Sequence, residues 1–564
     1  MKVDLKMHHK LLIGAFLFIG LILLITYLTS GPTIPEQVAG DIEVLLQDPA
    51  NTDLVFSEAV DLHADSLLRQ FYKNRLYMPA WIDNRGIMRT ADSLIVSIRD
   101  SYNEGFHPED YHYSVIDCSA IEIRALMFKK REVDIQKLMR LDMLMSDAFL
   151  LLANHMLSGR VNHESIDPEW LTKQPEVDLD SVLNVATTRK RIRSTLNSLR
   201  PQIGLYNRLR SEVLQYREIA KQGGWPIVPE GDKLVVGDNG YRVAALNARL
   251  IASGDLKARS REEMQIFDDE LLTAVKGFQA RNGLRADGVV GTGTIRALNR
   301  PTMDYVHKIE VNLERWRWLP RDLGDRYIMV NIADFTLNLY ENGKSILTMP
   351  VVVGSDYRRT PVFSGLMTYL VLNPYWHLPS TIIREDVLPA VKRSPSYLTS
   401  RHIDVVRTWN DPNPIDPFSI DWSSITEENL PYRFRQAPGP HNALGRIKFM
   451  FPNKYDIYLH DTPSRSLFDN VRRAYSSGCI RVSEPVKLAE YVIGDSTNWS
   501  TRSIEEKLRE VEDYTVRLKQ SIPVHILYST AWVAEDGTVQ FRDDVYERDI
   551  LVENALRAEM VLHD

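Results

Sequence analysis

A cysteine follows a glycine in a short run of small residues, Ser476-Ser477-Gly478-Cys479-Ile480-Arg481, nineteen positions after His460 in Tyr458-Leu459-His460-Asp461. These residue types suit acyl transfer. A Ser-Ser-Gly turn lets backbone N–H groups point inward beside the thiol, as a developing oxyanion requires. A nearby histidine takes the thiol proton and hands it to a leaving amine. A free thiol with a pKa of about 8.5 is mostly protonated at neutral pH, so such a base is needed. Residues two apart on a strand share a face, which would place Tyr458 with His460 and Cys479 with Arg481. Arg481 cannot lose its proton and would serve as a carboxylate clamp or in an intradomain ion pair. Residue type and spacing alone leave a plainer alternative open, in which Cys479 is a small buried hydrophobe and His460 a satisfied strand histidine. Zinc bound through His377, His441, His460 or Cys479 is the weaker reading, because no HExxH or CxxC pairing is present.

The elements that would position this chemistry are strands. Beyond Pro301, Tyr327 to Ile332, Thr336 to Tyr340, Thr348 to Val353, Met367 to Leu372 and Ile457 to Leu459 read as strands, with Glu341-Asn342-Gly343-Lys344 as a hairpin turn. A last hairpin is expected from Val524 to Val533 and Val539 to Phe541, around Glu535-Asp536-Gly537. Residues 384–440 interrupt this pattern with Pro, Trp, Asp and Ser and read as an inserted lid subdomain. Upstream, residues 233–300 carry three short helical stripes: Val243, Leu246 and Leu250; Leu271, Leu272, Val275 and Phe278; and Thr292 to Leu298. Residues 56–232 read as a helical scaffold, with Leu138, Leu141, Leu144, Met145, Ala148, Leu151 and Leu152 on one helix face.

At 564 residues the chain is too long for one core. Its net charge of -7 gives no basic field for nucleic acid, so no nucleic-acid partner is expected. Two cysteines, Cys118 and Cys479, are too few for a disulfide framework, and a bridge between them would exclude a catalytic thiol. Lys2, Lys6 and Lys10 precede Leu11 to Leu28, a run of eighteen uncharged residues. As a helix it would span about 27 Å, close to the hydrocarbon thickness of a bilayer. The expectation is a cytoplasmic tail at 1–10, an uncleaved transmembrane anchor at 11–28, a tether at 29–55 and export of everything downstream. A cleaved signal peptide is the rival. Residues 549–564 read as a polar, partly helical tail.

The run Tyr458-Leu459-His460-Asp461-Thr462-Pro463, followed by Ser476-Ser477-Gly478-Cys479-Ile480-Arg481-Val482, resembles the signature of the L,D-transpeptidases with YkuD-type catalytic domains. Gly354, Thr360-Pro361, Asn373-Pro374-Tyr375-Trp376, Gln436 to Pro440 and Leu444-Gly445 also match the larger, membrane-anchored YcbB-type members. Residues 233–300 resemble the common peptidoglycan-binding domain through Phe267-Asp268, Ala274 to Gln279, Gly283-Leu284 and Asp287 to Gly291. Tyr72 to Trp81, Gly105 to Tyr111 and Ala148 to Val161 are similar to the scaffold of the same proteins. Ser477 stands where many shorter members have a second histidine, and the larger members share the serine.

The resemblance implies an α+β multidomain chain: a mainly β catalytic domain of the β-sandwich kind at 301–548 with its lid insertion, a three-helix wall-binding domain, a helical scaffold and one transmembrane helix. It implies peptidoglycan stem peptides as substrate, with other wall-synthesis enzymes as further partners and the catalytic part in the periplasm, anchored to the inner membrane. Cys479 would attack the third stem residue, expel the terminal D-Ala and form a thioester, with His460 as base and then acid. Amine attack would give a 3→3 cross-link; water would give carboxypeptidase activity. Gly478 and Cys479 N–H are candidates for the oxyanion hole, Tyr458 for orienting His460, and a backbone carbonyl near Asp461 for holding the imidazole. No cofactor or metal is implied. A peptidoglycan hydrolase using the same wall-binding module is the alternative.

Overall fold

The computed structural model describes residues 31–47, 62–172, 177–494 and 499–558. The tail and anchor expected at 1–10 and 11–28 lie outside them, and among the described residues no helix is long and apolar enough to cross a membrane. Two compact units divide the chain: Met1–Arg160 with Pro175–Pro201 and Ala558–Asp564, and Val161–Gln174 with Gln202–Arg557.

The first unit is helical. Helix α1 (Ile34–Gln47) occupies part of the stretch expected as a tether. Val38, Ile42 and Leu45 recur at helical spacing and are buried, an apolar stripe that outweighs the surrounding Pro, Gly and Asp. Helix α2 (Ile135–Ser158) is capped by Asp134, which accepts a bond from the Gln136 N–H, and is buried along most of its length. Its Asp142 accepts from the Tyr72 hydroxyl at 2.7 Å and the Trp81 N–H at 2.7 Å. Burial pushes that carboxyl up, and these bonds oppose the shift.

In the second unit, α3 (Gly204–Lys221) packs on α7 (Thr302–Arg317), so the scaffold expected to run to 232 gives way near 202. Between them lies a small helical module: α4 (Tyr241–Ala252), α5 (Asp269–Arg281) and α6 (Thr292–Leu298). Val243, Leu246, Leu250, Leu271, Val275 and Phe278 share its core. The Gln279 side chain accepts from the Gly288 N–H at 2.8 Å and so pins the Asp287-Gly288 turn to α5.

The strands of the catalytic region are β1 (Arg326–Asn331), β2 (Thr336–Glu341), β3 (Lys344–Gly354) and β4 (Phe363–Leu372). Then come β5 (Trp376–His377), β6 (Asp404–Val406), β7 (Arg433–Gln436), β8 (Ile447–Met450) and β9 (Leu459–His460). The last are β10 (Ala474–Ser476), β11 (Ile480–Val482), β12 (Tyr514–Leu527), β13 (Ala531–Val533) and β14 (Val539–Phe541). Nine of them form one sheet in the order β10-β3-β11-β9-β8-β4-β12-β1-β2. Because β2 also pairs with β3, the sheet closes on itself; the expected sandwich of two sheets is instead one closed sheet. The long β3 makes this closure, pairing with β2 over Lys344–Pro350 and then with β11 at Val351 and Val352.

Asn342 and Gly343, both at positive φ, form the two-residue turn between β2 and β3 that right-twisted strands favour. Pro523 enters β12 just before its pairing with β1 begins at Val524, where its missing N–H leaves no ladder bond unmade on that edge. Strand β12 ends at Leu527, so the expected final hairpin is shorter: only β13 and β14 pair there. The insertion forms its own sheet, β5-β7-β6, around Leu378, Val387, Val391, Leu398, Val405, Trp422 and Phe434. Helix α8 (Asp549–Arg557) belongs to this unit and is no free tail, for Asp549 pairs with Arg315 of α7 at 2.5 Å.

Candidate active site

Strand register assembles the site. In the parallel pair β9–β11, Leu459 stands opposite Ile480 and His460 opposite Arg481. Leu459 and Ile480 are fully buried in the core, so the alternate residues Tyr458, His460, Cys479 and Arg481 share the other face. Tyr458 is therefore abreast of Cys479, and its carbonyl accepts the Ile480 N–H at 3.1 Å. His460 sits one strand across and two residues along from Cys479. With about 4.8 Å between strands and about 6.6 Å for two residues, that diagonal spans roughly 8 Å between Cα atoms, within side-chain reach. The Tyr458 and His460 rings meet edge to face at 5.8 Å between centroids.

The loop carrying the thiol is bonded internally. The Ser476 hydroxyl donates to the Cys479 carbonyl at 2.5 Å and accepts from the Gly478 N–H at 3.2 Å. Gly478 has φ of +111°, which an L side chain rarely adopts. Its N–H is thus committed to Ser476 and not free for an oxyanion, which removes one of the two expected donors. The Thr360 hydroxyl donates to the Gly478 carbonyl at 2.7 Å and accepts from the Gly354 N–H at 2.9 Å, fastening the loop to the end of β3. Neither Cys479 nor Cys118 is in a disulfide, and Cys479 Sγ lies 3.6 Å from the Asp456 carbonyl. Burial pushes the thiol up, while the amide and phenol of Tyr458, then Lys448 and Arg481, draw it down. Tyr458 is itself held well above the usual tyrosine range by burial and by Cys479, so it remains a protonated donor; the Trp376 side chain bonds to it from β5.

His460 is 4% exposed, and its Nδ1 lies 2.5 Å from the Asp461 carbonyl. With Nδ1–H donating there, Nε2 carries the lone pair that accepts a proton. The Asp461 carboxylate does something else: it accepts from the Arg446 N–H at 2.9 Å and pairs with Arg465 at 3.1 Å. Gly445, at φ +60°, makes room for it, since a Cβ there would fall 2.4 Å from Asp461 Oδ2. Burial lowers the imidazole to about 3, Arg481 and Lys448 push the same way, and the carbonyls of Asp461 and Leu444 oppose them. The resting pair is a protonated thiol beside a neutral imidazole.

Lys448 was not legible as a site residue. It is the lone charge in Ile447-Lys448-Phe449-Met450, whose alternation turns it away from the core. Across β8–β9 it stands directly opposite His460, and its Nζ lies 3.9 Å from the centre of the Tyr458 ring. Arg358 was also missed. It donates to the Ser477 hydroxyl at 3.0 Å and pairs with Glu385 at 2.8 Å and Asp386 at 2.7 Å, linking the thiol loop to a π-helical turn, Ile383–Val387, of the insertion. Arg481, expected as a clamp or in an ion pair, has no carboxylate partner among the described residues, and its buried Nε has no hydrogen-bond partner. His377 meets the Trp409 ring at a tilt, 4.3 Å between centroids, and His441 stacks on His402 at 4.0 Å. Among the described residues no three His, Cys, Asp or Glu side chains group as metal ligands. A cavity of about 580 Å³ opens just beyond the site strands, lined by Asp461, Thr462, Arg465 and Ser483 among others.

By fold the second unit is an α+β assembly whose mainly β domain presents a thiol, an imidazole and a phenol on one strand face, suited to acyl transfer. Residues 325–503 match the family described as "L,D-transpeptidase catalytic domain" (YkuD); residues 66–212 match "Scaffold domain" and 239–298 "Putative peptidoglycan binding domain". Among curated proteins, a "Putative L,D-transpeptidase" of Haemophilus influenzae is 38% identical over 242 residues, 43% of this chain and 48% of that protein, so the chain spans about half of that relative. The N-acetylmuramoyl-L-alanine amidase CwlM of Mycobacterium tuberculosis is 38% identical over 76 residues, 12% of this chain and 19% of that protein. A solved L,D-transpeptidase from Mycobacterium smegmatis aligns at 14% identity over 36% of this chain and 58% of that one, with a TM-score of 0.19, too low to argue from.

Proposed function

We propose that this protein is an L,D-transpeptidase that forms 3→3 cross-links between peptidoglycan stem peptides through a thioester on Cys479. The observation that carries the reading is the His460 imidazole, tied at Nδ1 by the Asp461 carbonyl and set diagonally across from the Cys479 thiol. As Sγ bonds to the carbonyl carbon of the third stem residue, its proton passes to Nε2. The bond to the terminal D-Ala nitrogen breaks, and that proton leaves on the amine. The side-chain amine of a second stem then attacks the thioester, loses a proton to His460 and releases the thiol. Tyr458, which stays protonated, stands beside the sulfur as a donor toward the oxyanion, together with the Cys479 N–H. The helical module at 233–300 would hold the wall polymer while the thiol reacts. The apolar run at 11–28 would anchor the chain in the inner membrane, leaving the catalytic part in the periplasm with other wall-synthesis enzymes.

Purified wall fragments incubated with the full chain, with products identified by mass, test this. Cross-linked dimers joined between third residues, absent with Cys479→Ala, are the expected result. Trimmed stems without dimers would reduce the activity to that of a carboxypeptidase. Cleaved products that persist in Cys479→Ala and vanish with a chelator would favour a metal hydrolase.

A further inference from the structure

Lys448, His460 and Arg481 form a row across three strands. Lys448 opposes His460 across β8–β9, and Arg481 opposes it across β9–β11, so an imidazole stands between two cations on one face. No carboxylate lies within ion-pair distance of either cation among the described residues. Other buried cations of the same unit are answered within the fold: Arg315 pairs with Asp549, Arg281 with Asp255 and Arg217 with Glu310, while Arg249 lies over the Trp225 ring at 4.2 Å and donates to the Leu298 carbonyl. The groups that face the row are Tyr458 just before β9, Cys479 just before β11, His377 from β5 and the exposed Asp456 ahead of β9, whose attraction for Lys448 is the weakest of those acting on it. Two partly buried charges without a counter-ion cost several kcal/mol. The site is short of one anion.

The thiolate does not supply that anion on its own terms. Making it places a proton on His460, where both cations oppose the new charge, so the gain at sulfur is offset at the imidazole. A substrate carboxylate seated against the row answers both cations and removes the opposition. We propose that Lys448 and Arg481 together form a carboxylate subsite for the free C-terminus of the donor peptide, and that its occupancy is what allows His460 to accept the thiol proton. This rests on the reading of Cys479 as nucleophile and His460 as base. The carboxylate belongs to the departing residue, so it leaves with the amine and the proton that the amine carries. The vacant row then favours neutral His460 and stands open to a carboxylate of the incoming stem, whose seating lets His460 take the amine proton.

Two measurements on the full chain test the subsite. The first compares alkylation of Cys479 by iodoacetate and by iodoacetamide, with the adduct located by peptide mass. The ratio of rates, referred to free cysteine, should favour the anionic reagent by about tenfold. Lys448→Met and Arg481→Met should each lose most of that preference, and Lys448→Arg should keep it. An unchanged ratio in Lys448→Met overturns the proposal. The second uses Cys479→Ala, which binds without reacting. A tetrapeptide stem with a free terminal carboxylate should bind about tenfold more tightly than its terminal amide, and Lys448→Met in that background should abolish the difference. Equal binding of acid and amide overturns the proposal. A carboxylate preference in a chain that yields no transfer products would overturn the transpeptidase reading and leave the subsite standing.

Discussion

Two clusters of buried cations in the second unit are built to opposite ends. Where α7 meets α8, Arg315 and Lys308 converge on Asp549 at 2.5 and 3.4 Å, and the Thr530 hydroxyl bonds the same carboxylate at 2.8 Å. On the β8–β9–β11 face, Lys448 and Arg481 flank His460, and among the described residues no acid pairs with them. The first cluster is closed and fixes the C-terminal helix. The second is left open within the fold, which is what a site for a charged ligand requires. Burial of charge alone therefore does not separate these two clusters; the presence of an internal carboxylate does.

The sharpest break in this comparison is chemical. Cys479→Ala should lower cross-linking by at least about 10⁴-fold with the thermal midpoint unchanged, and Cys479→Ser should be nearly as inert, because a hydroxyl is a far weaker acid than a thiol. Retained turnover in the serine variant would end the thiol mechanism. Next come the two clusters themselves. Asp549→Asn should cost about 3–5 kcal/mol by urea titration, since it strands Arg315 and Lys308. Arg481→Met should cost less than about 1 kcal/mol, or stabilise the fold, while slowing the reaction. Equal stability losses at both places would erase the distinction drawn between them.

Acid should expose the open cluster as well. The His460 imidazole is held to about 3 in the fold, against about 6.5 when unfolded. Between those values the unfolded chain binds a proton that the folded chain does not, so stability falls as pH drops through that window. His460→Gln should remove this part of the loss, roughly 1.4 kcal/mol for each pH unit below the unfolded value. Parallel stability–pH curves for the two proteins would contradict it. The smallest effect is expected at Arg358. Glu385 and Asp386 are nearly half exposed, so these pairs are screened and worth no more than about 1 kcal/mol. Arg358→Ala should loosen the insertion and raise hydrolysis over cross-linking by a few-fold; an unchanged product ratio would deny the insertion its role as a lid.

Much of this was legible in the sequence where one local rule sufficed. The three helices of the module were visible in apolar spacing, the β2–β3 turn in Asn342-Gly343, and the shared face of Tyr458, His460, Cys479 and Arg481 in the two-residue period of strands. Closure of the sheet was not legible, because it depends on β3 pairing with β2 and then β11, partners distant in the chain. Lys448 escaped for the same reason: only the β8–β9 register sets it opposite His460. The helix α1 was hidden by Pro35, Gly40 and Asp41, which suggested a tether although Val38, Ile42 and Leu45 already held helical spacing. Gly478 supplied the turn that the motif promised, but the Ser476 hydroxyl claimed its N–H, a choice made by side-chain rotation that no spacing encodes.

The parallel pairing of β9 with β11 also sets when the chain becomes chemically competent. Its inward residues, Leu459 and Ile480, are fully buried, while their neighbours hold the thiol and the imidazole. A slip of one residue would exchange the two sets, driving Cys479 and Arg481 inward and turning Ile480 to the solvent side. No partial version of the site exists between those registers. Reactivity at Cys479 should therefore rise late in refolding and in a single step, making the thiol a timer for completion of the closed sheet.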